Sequence, residues 1–171
     1  MSESKNGDLA PTPGIVADLG FAKVDLERSK RQGIGEVVFC EGKTAEQVTQ
    51  IFISLFEREN FALGTRCSEE QAKSVLSTMP AARYHQAARV LQAGHCRSFP
   101  KLPGKTAILS AGAADLPVAE EAAVVCEALG QKVERVYDVG VAGLHRLLNR
   151  IDLLRSCRVV IVVAGMEGAL P

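Results

Sequence analysis

Three short stretches of this chain combine very small residues with a few groups able to handle a phosphate, a carboxylate or a proton. The first is Ser110-Ala111-Gly112-Ala113-Ala114-Asp115. Small residues there let backbone N–H groups approach an anion, and a following helix would add its dipole. Ser110 can donate a hydroxyl. Asp115 can cap that helix or bind sugar hydroxyls. The second stretch is Asp138-Val139-Gly140-Val141-Ala142-Gly143-Leu144-His145-Arg146. A histidine in the first turn of a helix can exchange protons near neutral pH, and an adjacent arginine can clamp a phosphate or carboxylate. The third is Ala164-Gly165-Met166-Glu167-Gly168-Ala169-Leu170. Glu167 is the one carboxylate there and could position a cation, a sugar or a proton, and Met166 on its own reads as a packing residue. Each stretch alone is a weak signal, and together they point to a phosphorylated or nucleotide-like small molecule. The first lacks the spacing of a Walker A loop and of the G-x-G-x-x-G dinucleotide fingerprint.

The elements around these stretches explain how they could meet. Thr106 to Leu109 reads as an apolar strand. A helix follows, opened by Asp115 with Pro117 in its first turn, closed by Gly130, and lined on one face by Val118, Ala122, Val125, Cys126 and Leu129. Val133 to Tyr137 is a second strand, Leu144, Leu147, Leu148 and Ile151 mark a second helix, and Val159 to Val163 is a strand apolar enough to be covered on both faces. The order β-α-β-α-β predicts a parallel sheet with right-handed crossovers. All three stretches then leave the C-terminal ends of strands, on one sheet edge, where ligands bind.

The first half has a different texture. Residues 1–14 read as a polar lead-in, and a short helix within 18–34 ends at Gly33. Glu36 to Cys40 is a strand. Thr44 opens a helix with Gln47 as capping-box partner and an apolar stripe of Val48, Ile51, Phe52, Leu55 and Phe56. Phe61 to Arg66 is a weaker strand, and Ser68 opens a helix with Ala72, Val75, Leu76 and Met79 inward, stopped by Pro80. The division is therefore a lead-in (1–14), an N-terminal α/β module (15–93), a linker rich in Pro and Gly (94–104) and a second α/β domain (105–171).

Composition limits the function classes. The chain has 171 residues, 47% hydrophobic and 23% charged, enough for a real core. Twenty Lys and Arg balance twenty Asp and Glu, which argues against a nucleic-acid or anionic-membrane surface. Without tryptophan, and with aromatics at 5%, a base-stacking platform is disfavoured. Five scattered cysteines with no C-x-x-C spacing suit a reducing compartment, and His85 and His95 have no partners at metal-ligand spacing. The N-terminus lacks a signal-peptide core and the longest apolar run is far too short to span a bilayer, so a soluble, cytoplasmic protein is expected.

Two of the three stretches, with Ala113-Ala114-Asp115-Leu116-Pro117-Val118-Ala119-Glu120-Glu121-Ala122 upstream of them, resemble the LarB family, which makes the nickel-pincer nucleotide cofactor. Gly20 to Asp25, Gly35 to Phe39 and Gly42-Lys43-Thr44 are similar to that family as well, so the likeness covers about residues 17–171. It implies an α/β chain with a small N-terminal α/β module followed by a partial PurE-like doubly wound parallel sheet, akin to aminoimidazole ribonucleotide carboxylase. It further implies that Ser110, Gly112 and Asp115 bind nucleotide and that His145 and Arg146 occupy the acid/base segment. Asp138, Gly140 and Gly143 would lead into that segment, and Gly165 to Leu170, with Gly165, Met166, Glu167 and Gly168 as its candidate site residues, would form the third wall. His145 and Glu167 are the candidates for proton transfer.

The implied reaction is carboxylation of the pyridine ring of nicotinic acid adenine dinucleotide by CO2 or bicarbonate. Hydrolysis of the phosphoanhydride then releases AMP. No cofactor is expected to be tightly bound and no metal ligand set stands out, although Mg²⁺ beside the phosphates would suit the reaction. The complete family members are expected to be homo-oligomers, octamers in particular. An electron-poor pyridinium must first be made nucleophilic, which a cysteine thiolate adding to the ring achieves. That cysteine lies in the family beyond the point where this chain stops, and none of the five present matches it. The expectation is therefore a C-terminally truncated chain. The alternatives are an aminoimidazole ribonucleotide carboxylase-like enzyme of purine synthesis and a non-catalytic nucleotide-binding module.

Overall fold

The computed structural model describes residues 16–96, 103–166 and 168–171. The expected lead-in (1–14), the centre of the expected linker (97–102) and Glu167 lie outside the described residues.

The chain starts as an antiparallel hairpin of β1 (Val16–Asp18) and β2 (Lys23–Asp25). The expected helix across 18–34 shrinks to α1 (Arg28–Gln32), closed by Gly33 in the left-handed region. The hairpin wins because the Asp18 carboxylate accepts the Gly20 N–H and turns the chain.

Next come β3 (Val37–Phe39), α2 (Ala45–Glu59), β4 (Phe61–Thr65), α3 (Glu69–Thr78), β5 (Arg83–His85) and β6 (Val90–Gly94). They form a four-stranded sheet in the order β3-β4-β6-β5, with β3 and β4 parallel and the remaining pairs antiparallel. The expected capping box of Thr44 and Gln47 is present, and Ser68 and Gln71 form a second one. The predicted stripe of α2 is buried at Val48, Ile51, Phe52 and Leu55 and packs with Ala72 and Val75 of α3 on one sheet face. Strands β5 and β6 are additions to the predicted strand-helix-strand-helix module.

The second half is β7 (Lys105–Ser110), α4 (Leu116–Ala128), β8 (Lys132–Val136), α5 (Leu144–Leu148), α6 (Ile151–Ser156) and β9 (Val159–Val163). Its sheet is parallel throughout, in the order β8-β7-β9. Side chains alternate along the central strand. Ile108 faces α4 through Ala119 and Ala123, whereas Ala107 and Leu109 face α5 and α6 through Leu147, Leu153 and Leu154. This is the mixed α/β architecture expected, with a parallel sheet covered by helices on both faces.

Three details depart from expectation. Helix α4 buries Ala119, Ala123, Val124 and Ala128, while Val118 is exposed. The predicted stripe is rotated because α4 lies between two sheets. Ala119 and Ala123 meet Ile108 on one side, and Val124 and Ala128 meet Phe61, Leu63, Ala88 and Val90 on the other. A helix used on two sides has no single apolar stripe to read. Second, the helix expected around Leu144 to Ile151 breaks at Asn149–Arg150, which leaves Leu144 and Leu148 exposed and turns Leu153 and Leu154 onto the sheet. Third, β9 is an edge strand, and Val159 is 50% exposed despite the continuously apolar sequence.

Candidate functional site

Placing β7 in the middle sends the chain to β8 on one side and brings it back at β9 on the other. Strand order therefore reverses across β7, and a crevice opens beyond its C-terminal end. The three small-residue loops meet there. They line a cavity of about 580 Å³ through Ala111 to Asp115, Gly140 to Ala142, Ala164 to Met166, and Ala169 with Leu170.

The end of β7 is the hub. The Ala111 N–H donates to the Val163 carbonyl at 3.0 Å, and the Ala111 carbonyl accepts the Gly140 N–H at 2.9 Å. Ser110 is fully buried, and its hydroxyl oxygen accepts the Asp138 N–H at 3.2 Å. The fit at Gly140 is close, since a β-carbon there would stand 2.7 Å from the Ala111 carbonyl oxygen, so only glycine lets the second loop approach the first.

Asp115 ties the first loop to the third. One carboxylate oxygen accepts the Gly112 N–H at 2.9 Å and the other accepts the Gly165 N–H at 3.0 Å, across 50 residues of sequence. Its side chain makes no capping bond to α4. Carboxylate-to-amide bonds are charge-assisted and stronger than neutral ones, so this bridge fixes the spacing of the two walls. Asp115 is thus a positioning residue whose oxygens are engaged by protein amides.

The expected site residues divide into two groups. Gly112, Asp115, Gly140, Gly165 and Met166 line the cavity, and Met166 is 80% exposed beside it. Ser110 is buried behind the wall. His145 is exposed on the first turn of α5, Gly143 is buried at that helix's start, and Gly168 is exposed with a positive φ, all outside the lining. Arg146 pairs with the Asp138 carboxylate at the cavity's flank, leaving each partner's charge largely answered by the other. Of the other lining residues, Ala169 and Leu170 belong to the expected third wall, and Ala111, Ala113, Ala114, Val141, Ala142 and Ala164 lie within the three stretches without being candidates in their own right. Their side chains carry no chemistry, and their one signal is the run of small residues.

Apart from Asp115, no charged side chain lines the cavity among the described residues. An anion there would be held by backbone dipoles, above all at the Gly112-Ala113-Ala114 approach to α4. Among the described residues the lining offers a Mg²⁺ ion a single carboxylate whose oxygens already accept amides, which is a poor fit to its octahedral oxygen shell. Among the described residues no three His, Cys, Asp or Glu side chains group as metal ligands, and no helix is long and apolar enough to cross a membrane.

The second half packs on the first through α4. Arg66 pairs with Glu121 of α4 at 2.6 Å, and the Arg135 guanidinium spans Glu120 and Glu127. Arg135 holds the Glu127 carboxyl below its ordinary range, while burial pushes the neighbouring Tyr137 hydroxyl well up. Burial also lowers His85, whose Nε2 is buried with no hydrogen-bond partner among the described residues.

Comparison with known proteins bears chiefly on the first half of the chain. The chain is 36% identical over 156 residues to an uncharacterized protein of Methanocaldococcus jannaschii, an alignment covering 87% of this chain. The chain spans 61% of that relative's length. Residues 16–95, which include the whole β3-β4-β6-β5 sheet, match the LarB/PurE-like N-terminal domain. That match likens this part of the chain to the LarB/PurE-like family, in keeping with its mixed α/β architecture.

Proposed function

We propose that the cavity beyond β7, β8 and β9 binds nicotinic acid adenine dinucleotide, and that the protein serves carboxylation of its pyridine ring with release of AMP. The observation that carries this reading is the convergence of three glycine- and alanine-rich loops at the switch point of a parallel sheet, in a chain whose first domain is LarB/PurE-like. Backbone amides at the start of α4 would take a phosphate, and the Asp115 bridge would hold the walls at the width of a nucleotide. His145 and Arg146, on the same sheet edge, would meet the part of the substrate that projects out of the cavity. CO2 or bicarbonate enters as co-substrate. The ring attacks carbon only after a thiolate has added to it, and the same thiolate leaves once the carboxylate has formed.

A second reading rests on a specific observation. None of the cavity's lining residues is a cysteine, and Cys126 and Cys157 are half-buried against the sheet core. That favours a dinucleotide-binding module over a chain that completes the chemistry alone. Calorimetry with the dinucleotide, followed by chromatography and mass spectrometry after bicarbonate is added, separates the two. Binding with bicarbonate-dependent AMP and a biscarboxylated pyridinium mononucleotide supports the enzyme. Binding without either product supports the module. No binding overturns both, and turnover of an imidazole ribotide instead would point to the purine enzyme.

A further inference from the structure

Cys40 and Cys67 take no part in the cavity, yet their placement is specific. Cys40 follows β3 and Cys67 follows β4, the two parallel neighbours, and both are 0% exposed in the same apolar cluster. The ladder continues one residue past β3, because the Cys40 N–H donates to the Thr65 carbonyl at 2.9 Å. Cys67 is then one residue beyond direct register with Cys40. Strands about 4.8 Å apart and a rise of about 3.3 Å per residue put the two α-carbons roughly 6 Å apart. Bridged cysteines need about 4.4–6.8 Å. In a regular strand Cys67 would point to the opposite face. Arg66 lies between, in the left-handed region at φ 53°, and breaks that alternation, so that Cys67 shares the buried cluster of Cys40.

The surroundings fit the pair. Gly64 leaves the space that the Cys40 sulfur fills, as a β-carbon there would stand 2.8 Å from it. The backbone around the sulfurs is braced. The Gln71 amide donates to the Cys40 carbonyl at 2.9 Å and to the Lys43 carbonyl at 2.7 Å, and the Tyr84 hydroxyl donates to the Cys67 carbonyl at 3.0 Å. Each thiol also has a backbone acceptor, Cys40 the Val38 carbonyl at 3.6 Å and Cys67 the Ser68 carbonyl at 3.5 Å. Cys40's S–H, assisted by Arg89, holds Cys67 below its ordinary thiol range, while the same contact and burial push Cys40 well up.

We propose that Cys40 and Cys67 are the two halves of a reversible disulfide that locks the C-terminal ends of β3 and β4 together. The oxidant is a low-molecular-weight disulfide such as oxidised glutathione. The Cys67 thiolate attacks one of its sulfurs, forms a mixed disulfide and expels one thiolate. Cys40 then loses its proton and attacks the Cys67 sulfur, expelling the second thiolate. Two protein thiols are oxidised, one small disulfide is reduced to two thiols, and the protein loses two hydrogens. Because both sulfurs are buried, the reaction waits on local opening and is slower than modification of the half-buried Cys96, Cys126 and Cys157.

The test is peptide mapping of the native full chain after incubation with oxidised glutathione, with remaining thiols alkylated. The expected product joins tryptic peptide 32–43 to peptide 67–73, is reversed by dithiothreitol, and raises the melting temperature by several degrees. Cys40→Ser should instead trap glutathione on Cys67, whereas Cys67→Ser should leave Cys40 unmodified. The proposal is overturned if the joined peptide is absent from the wild-type protein once Cys96, Cys126 and Cys157 are fully modified, or if it forms only in denaturant.

Discussion

The molecule has two edges of the same kind. At one, the parallel pair β3 and β4 runs into α2 and α3. At the other, β7, β8 and β9 run into three small-residue loops. The first edge is closed. Thr44 and Ser68 engage the N-termini of both helices through reciprocal capping boxes, and the Gln71 amide reaches across to two carbonyls of the β3–α2 loop. At the second edge the residue in the capping position, Asp115, turns away from its helix and bonds the amides of Gly112 and Gly165. One arrangement uses its polar side chains to satisfy a helix end. The other uses them to hold two loops apart, and the cavity follows. Parallel strands feeding helices do not by themselves make a binding site. Here a cavity arises where local capping gives way to a long-range bridge.

The largest effect should come from the layer that joins the two regions. Leu63 is fully buried in the cluster that includes Val124 and Ala128 of α4. Leu63→Ala should cost about 2–5 kcal/mol and lower one shared unfolding transition. Two separate transitions in denaturant, with only one displaced, would show that the regions are energetically independent. Next, Asp115→Ala removes both charge-assisted bonds, so a loss of about 2–3 kcal/mol and at least about tenfold weaker dinucleotide binding are expected by calorimetry. Thr44→Ala sharpens the contrast from the other edge. It should cost about 1 kcal/mol in chemical denaturation and leave dinucleotide affinity unchanged.

The smallest effect is a pH dependence at the seam. Burial lowers His85 below the unfolded value of 6.5, so the unfolded chain takes up the proton first as pH falls. Stability should therefore be full above that value and decline as pH drops from about 6.5 toward the lower folded value. Arg83, Arg135, Glu120 and Glu127 surround the imidazole and share in the field it feels. His85→Gln should flatten the decline in melting temperature across that range, and an unchanged slope would assign it to other groups.

What could be read from sequence was what is local. Thr44 and Gln47 lie three residues apart, and their capping box is the one predicted. The strand-helix alternation after Lys105 implies the parallel sheet and three loops on one edge. Long-range relations were not legible. Asp115 reads as a helix cap because its true partner, Gly165, lies 50 residues away. Helix α4 shows no usable stripe because it serves two sheets, and the stripe assigned to it included the exposed Val118. Ser110 has the chemistry of a ligand contact, but its hydroxyl is turned inward to Asp138. Strands β5 and β6 are short and stand only by pairing with β4 and each other. The linker expected at 94–104 says nothing of the α4 packing, which joins residues across it.

The claim that the open edge, and not the capped one, is the binding site is tested most directly by amide hydrogen exchange with and without nicotinic acid adenine dinucleotide. Protection should rise at residues 111–115, 139–142 and 164–170 and stay unchanged at 41–47 and 66–71. Protection concentrated at the capped ends of β3 and β4, or no change at either edge under saturating dinucleotide, would contradict the account.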